Sequence, residues 1–151
     1  MDLRSFAKRI KFGQLLPPEL KNNGAFTGNT YFDTLGLGAL LVLINNGAGD
    51  AAVGSTLSTT PPLLEECDTT GGSYTAITGA ALAAVISATD DNKQYGIFVD
   101  LTKTHKRYIR VQAPTAANAT AALLQITALG FPADTLPKSA AEAGLTELIE
   151  A

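Results

Sequence analysis

The chain has no tryptophan, one cysteine (Cys67) and one histidine (His105) among its 151 residues. An internal disulfide needs two thiols, and a four-ligand Cys/His zinc centre needs more ligands than these two residues supply. A nucleophile–base triad would have to use His105, which stands between Lys103 and Lys106. Cationic neighbours disfavour protonation of an imidazole, and the position reads as a solvated loop residue. Charge is also scarce: 17% of residues are charged, with a formal net charge of −3. Apolar runs such as Ala39 to Ile44 fall far below the ~20 residues a membrane-crossing helix requires. The first residues carry charge where a signal peptide would have its apolar core. The expectation is a soluble chain with no membrane partner, folded as one domain that buries roughly two-thirds of its unfolded surface. Cys67 reads as a small, half-buried side chain.

Other chemical signatures are missing as well. Leu35-Gly36-Leu37-Gly38 has two glycines at dinucleotide-motif spacing but not the third, and no acidic ribose partner follows on a second strand. No phosphate-loop signature occurs. Glu65, Glu66 and Asp68, and the pair Asp90 and Asp91, lack the spacing of a calcium loop and read as strand ends and turns. Glu65 and Glu66 are adjacent, so on a strand they point to opposite faces and cannot form a glycosidase pair. The expectation is therefore a chain that is not an enzyme, with no catalytic residues, no cofactor and no metal.

What the sequence does contain is period-2 patterning. Tyr95, Ile97, Val99 and Leu101 share one face of an extended segment, and Gln94, Gly96, Phe98 and Asp100 the other. Ile109, Val111 and Ala113 alternate in the same way with Tyr108, Arg110 and Gln112. With Thr102 to Lys106 between them, these segments read as a hairpin with one dry and one polar face. Ala39 to Ile44 is apolar on both sides, which suits a strand buried on both faces or packed at an interface. Leu63 to Cys67 and Tyr74 to Ile77 read as short strands around the turn-rich Asp68 to Gly72. Ala80 to Ile86 fits either a strand or one or two helical turns. Asp90-Asp91-Asn92 marks a turn. Thr120 to Gly130 closes the series, with Ala122, Leu124, Ile126 and Ala128 on one face.

Short strands with no alternating long helices point to an all-β fold, an antiparallel β-sandwich or jelly roll. Its body spans residues 25–132. The terminal segments differ from it in charge. Residues 1–24 form a basic arm carrying Arg4, Lys8, Arg9, Lys11 and Lys21. Within it, Leu3, Phe6, Ala7 and Ile10 recur at helical spacing from Leu3 towards Leu16, and Pro17-Pro18 stops the helix. Residues 133–151 form an acidic tail. There Ser139 and Glu142 have capping-box spacing, and Ala141, Leu145, Leu148 and Ile149 form the stripe of a short helix. Leu3, Arg4, Phe6, Lys8, Arg9 and Ile10 at one end, and Leu145, Leu148 and Ile149 at the other, are expected to dock onto protein.

Lys106, Arg107 and Arg110, with Tyr108 among them, form the densest basic cluster of the body. Tyr108 and Arg110 share a strand face and complete the set of expected protein-contact residues. An aromatic and basic face suits single-stranded nucleic acid, but the acidic balance of the chain argues against that partner. Arg110 is expected to pair with a carboxylate across the sheet or on a neighbouring chain.

Phe32-Asp33-Thr34-Leu35-Gly36, the apolar strand Ala39 to Ile44, Leu64-Glu65-Glu66-Cys67-Asp68, Gly72 to Ile77, Asp91 to Tyr95, Lys106-Arg107-Tyr108-Ile109-Arg110-Val111 and Ala121 to Pro132 follow one another in an order that resembles the small head-decoration, or cement, proteins of tailed bacteriophages. The resemblance covers roughly residues 32–132. It implies a jelly-roll or β-sandwich body, a homo-oligomer (dimer or trimer), and a place on the outside of the virion capsid bridging major capsid proteins, after synthesis in the host cytoplasm. The two terminal segments lie outside it. A tail or connector component of the virion, or a carbohydrate-binding adhesion module, fits the same pattern.

Overall fold

The computed structural model describes residues 8–49, 52–55, 60–116 and 121–133. It is all-β, with every strand pair antiparallel. In chain order the strands are β1 (Lys11–Lys21), β2 (Gly24–Ala25), β3 (Phe32–Asp33), β4 (Leu37–Asn46), β5 (Val53–Ser55), β6 (Leu63–Cys67), β7 (Thr75–Ala81), β8 (Lys93–Asp100), β9 (Tyr108–Val111), β10 (Pro114–Ala116) and β11 (Ala122–Pro132). They make three sheets: a first of order β1-β11-β4-β8, a small second of order β2-β10-β5, and a third of order β3-β9-β6-β7.

The alternation seen in β11 is what places the core. Ala122, Leu124, Ile126 and Ala128 are all buried, while Leu123, Gln125, Thr127 and Leu129 point the other way and keep solvent contact. In β4 the inward set is Leu40, Val42 and Ile44, and in β8 it is Ile97 and Val99. The third sheet supplies Leu64, Ile77, Ile109 and Val111 to the same continuous cluster. Burying each such side chain contributes about 1.5–3 kcal/mol, so the common core outweighs any surface contact described below. Close packing also explains two glycines. A Cβ on Gly13 would stand 2.4 Å from the Phe32 ring, and one on Gly130 would stand 3.0 Å from it, so at these two positions the first sheet approaches the ring because it lacks side chains.

Three sequence expectations need correction. The helical spacing of Leu3 to Leu16 does not give a helix from Lys11 onwards; Leu3, Arg4 and Phe6 lie outside the described residues. Lys11–Lys21 is instead β1, paired along β11, so the basic arm of residues 1–24 contributes an edge strand to the body. Register shifts fall between Gln14 and Leu16 and between Leu16 and Glu19. Such bulges let consecutive Leu15 and Leu16 both face the core, which erases the two-residue period a strand would show. Pro17 and Pro18 are tolerated because β1 is at the sheet edge and both fall in the register shift between Leu16 and Glu19, where neither is paired with β11.

The second correction concerns the expected hairpin. Its faces alternate as expected up to Val111, but β8 pairs with β4 and β9 pairs with β3 and β6. The two segments therefore belong to different sheets, and Ala113 falls beyond β9, exposed. The connection is held to both. Leu101 N–H donates to the Gly38 carbonyl at 2.9 Å, and Lys106 N–H donates to Glu66 Oε2 at 3.0 Å.

His105 is the third. Its side chain is 12% exposed, with Nδ1 2.9 Å from Glu66 Oε2, so it braces the crossing connection instead of facing solvent.

Elsewhere the turns lie where expected. Asp68 to Gly72 joins β6 to β7, and Asn92, at φ 56°, turns the chain into β8. Leu35-Gly36 sits in the turn between β3 and β4. Leu37 N–H donates to the Thr34 carbonyl and Gly36 has φ 80°, the geometry of a type II turn that demands glycine at its third position. That demand, and no dinucleotide, accounts for the glycine. Ala80 to Ile86 is neither a full strand nor a helix: Ala80 and Ala81 end β7, and Ile86 makes a single bridge to Val53. Leu145, Leu148 and Ile149, and the helix and tail expected around them, lie outside the described residues.

Candidate functional site

Two outward faces carry the unusual side chains. The first is the outer face of the third sheet. Arg110 on β9 donates from Nε to Glu65 Oε1 on β6 at 2.6 Å; the two residues are direct cross-strand partners. Arg110 also lies 3.8 Å from the ring centroid of Tyr74. Tyr108 is two residues before Arg110 and so shares its face. Its ring meets that of Tyr31 edge to face, with centroids 5.3 Å apart. Three of the four tyrosines thus stand beside the Arg110 and Arg107 guanidinium groups or against each other. Tyr31 keeps 41% of its surface exposed, and Leu35 in the following turn keeps 68%.

Charge on this platform is internally balanced. Glu65 is nearly buried, with 6% of its side chain exposed, and its Arg110 partner is 37% exposed. Arg107 lies with its guanidinium 5.1 Å from the Tyr108 ring centroid and holds Asp33 by two bonds, Nε to Oδ1 and Nη2 to Oδ2, each 2.9 Å. That bidentate grip is the main reason the Asp33 carboxyl titrates well below the usual range and the Arg107 guanidinium above its own. Burial is the main influence raising the Tyr74 phenol, opposed by the charge of Arg110. Arg110 thus takes the cross-sheet carboxylate that its sequence setting suggested. The Glu65 and Glu66 side chains go to opposite sides, one to Arg110 and the other to His105 and Lys106. Cys67 is buried outright, at 6% exposure.

The second is the outer face of the first sheet. Phe12 is registered with Leu129, Leu129 with Leu41, and Leu41 with Phe98. Directly paired residues of antiparallel strands point to the same side, so these four make an apolar row across the whole width of the sheet. Phe12 is 66% exposed and Phe98 36%. The adjacent row runs Gln14, Thr127, Leu43 and Gly96, and the next contains Gln125, Asn45 and Gln94. Gln94 Nε2 donates to Asn45 Oδ1 at 2.6 Å. Leu20 and Leu123, paired to each other, form a separate apolar pair beyond the amide row. Among the described residues this face carries no Lys, Arg or Glu. Its Asp100, at one end, is 8% exposed and accepts from the Thr102 N–H and hydroxyl. Burial raises that carboxyl, and the Thr102 bonds outweigh it, so it titrates low.

Of the residues expected at a partner contact, Tyr108 and Arg110 stand together in the tyrosine platform. Lys8 and Arg9 are exposed and Ile10 half-buried at the start of the described chain, away from the helical setting expected for them. Tyr31, Tyr74, Phe12 and Phe98 were missed. Phe98 was placed on the polar face of its strand, and only cross-strand register groups it with Leu41, Leu129 and Phe12. Among the described residues no three His, Cys, Asp or Glu side chains gather at metal-binding distance, and no helix is long and apolar enough to cross a membrane. Comparison of the chain with protein-family models, with curated proteins and with solved structures gives no match.

Proposed function

We propose that the chain is a virion structural protein with a β-sandwich body of the jelly-roll type, a decoration or cement protein that binds the outside of a phage head and strengthens contacts between major capsid proteins. The observation that carries this reading is the tyrosine platform around Arg110. Tyrosine and arginine are the residues most often found where protein interfaces concentrate their binding energy, because they offer large rigid contact area at low entropic cost. Here they are pre-ordered by Glu65 and by each other, so a partner orders little on binding. Arg107 and Arg110 are both matched to carboxylates, which leaves little positive charge for a phosphate backbone. The order of sequence motifs supplies the capsid as the partner.

The experiment compares heads assembled with the wild-type chain, with a Tyr31→Ser/Leu35→Ser variant, and without the protein. The two substituted side chains are exposed, so the fold is expected to persist. Wild type is expected to decorate the heads in micrographs and raise their resistance to heat and low salt. The variant is expected to bind at least about tenfold more weakly, a loss of ~1.4 kcal/mol. Equal resistance of decorated and bare heads would sink the reading. A sugar-binding adhesion role is the second reading, favoured by the exposed Tyr31 ring against Tyr108; binding to a glycan array, abolished by Tyr31→Ser, would select it.

A further inference from the structure

We propose that the acidic tail of this chain, residues 133–151, packs on the outer face of the first sheet, with Leu145, Leu148 and Ile149 set against the row Phe12, Leu129, Leu41 and Phe98. This contact goes beyond the capsid reading and does not rest on it.

Three observations select the tail as the occupant, although it lies outside the described residues. The first is where the chain leaves the body. β11 is an inner strand of the first sheet and ends at Pro132, so the exit stands ~10 Å along the strand from Leu129. The inner side of that sheet is filled by the common core, which leaves its outer side for a returning segment. Outward-facing Phe131, half-buried, and its partner Ala39, fully buried, carry apolar surface from the row to the exit. The second is reach. Residues 133–138 can extend ~20 Å, while a return to the row takes ~10 Å along the strand and about as much again to clear the sheet. Residues 139–151, read as a helix at about 1.5 Å per residue, span ~20 Å, more than the ~14 Å between the outer strands of a four-stranded sheet. The third is chemistry. Ala141, Leu145, Leu148 and Ile149 stand at i, i+4, i+7 and i+8, the spacing of one helix face, and Glu147 and Glu150 fall on the opposite side. The sheet face carries no Lys or Arg among the described residues and so offers a carboxylate nothing. It suits a segment that lays its apolar side down and keeps its glutamates in water. A tethered segment also meets the face at an effective concentration on the order of mM, ahead of a free partner. The basic head leaves the same end of the sheet, at Lys11 opposite Gly130, but its apolar residues run up to Ile10, directly before β1, and leave no spacer for the reversal.

The test is amide hydrogen exchange of the full-length chain, followed by mass spectrometry without capsids. A helix this short is marginal by itself, so its amides slow only when it is docked. Amides of residues 143–151 are expected to exchange at least about tenfold more slowly than in an unstructured chain, and equally at about 10 and about 100 µM protein. Phe98→Ser, a change in the body and not in the tail, is expected to bring them within about twofold of the unstructured rate, while Tyr31→Ser on the third sheet leaves them as in wild type. Circular dichroism checks that the variants fold; should Phe98→Ser fail, Phe12→Ser, at the exposed edge of the same row, is read in the same way. Tail amides that exchange at the unstructured rate in wild type, that stay protected in the row variant, or that are protected only at the higher concentration would each overturn the proposal. So would protection lost from residues 1–10 in place of the tail. The decoration of heads has its own test, and either result there leaves these rates unchanged.

Discussion

The outer faces of the first and third sheets are built from the same strand geometry but solve exposure in opposite ways. On the third sheet, polar and charged groups are paired within the chain: Arg110 with Glu65, Arg107 with Asp33, Tyr31 with Tyr108. On the first, an apolar row is left bordered by neutral amides, with Gln94 bonded to Asn45. The third sheet's platform is finished before any partner arrives and offers shape and aromatic edges. The first sheet's face is unfinished, because apolar surface gains free energy only when something covers it. One face therefore depends on electrostatics and pre-ordering, the other on burial.

The comparison breaks most severely if the shared core beneath it fails. Ile126, fully buried under the first sheet, replaced by Ala is expected to cost ~2–5 kcal/mol in urea unfolding, whereas Thr127→Ala on the outward side should stay within ~0.5 kcal/mol. Similar losses at both positions would show that the faces are not distinct.

The third sheet's dependence on pairing is tested next. Arg110→Ala strands the nearly buried Glu65 carboxylate. The expected loss is roughly 2 kcal/mol, between the values for a fully buried and an exposed pair because Arg110 keeps partial solvent contact. The double variant Arg110→Met/Glu65→Leu should recover part of it. A single variant as stable as wild type would show that the platform is not held by this pair.

Acid sharpens the contrast further. Glu19, Asp33, Asp90 and Asp100 all titrate below their ordinary values of 4.5 for Glu and 3.8 for Asp. Glu19 does so against the opposing effect of burial because it accepts from the Thr27 and Gly28 N–H groups. A carboxylate lowered on folding contributes stability that is present above the unfolded pKa and is lost as pH falls through the folded one. Unfolding free energy is therefore expected to be insensitive to these groups above about pH 5 and to decline below about pH 4.

The smallest expected effect is at Arg107. Its pair with Asp33 is geometrically good but substantially exposed, with 44% and 31% of the two side chains accessible. Arg107→Ala is expected to cost no more than ~1 kcal/mol, and less at high salt. A larger loss would mean that the pair also orders the turn at Leu35.

Much of the fold was readable along the chain. The bounds of β6 coincide with Leu63 to Cys67, the two faces of β11 divide side chain by side chain as its alternation implies, and the turns at Asp68 to Gly72 and Asp90 to Asn92 hold. Ala39 to Ile44 is a strand with one fully buried face, its Leu41 and Leu43 only half-covered. The errors share a cause. Leu15 and Leu16 face the core together because β1 is bulged against a strand more than 100 residues away, and β8 and β9 look like a hairpin because they are neighbours in sequence. The tyrosine platform was half legible, since Tyr108 and Arg110 share a strand face by local geometry, while Tyr31 and Tyr74 arrive from other parts of the chain.

Alternation of side chains along a single strand is a property of its own backbone, so sequence by itself determined which residues of β8 and β9 form the dry face, how the side chains of β11 divide between two faces, and that the body is built of strands. Which strand lies beside which, and in what register, depends on pairing between residues far apart in the chain. Only the tertiary structure could therefore align Phe12, Leu129, Leu41 and Phe98 into one row, and set Arg110 between Glu65 and Tyr74.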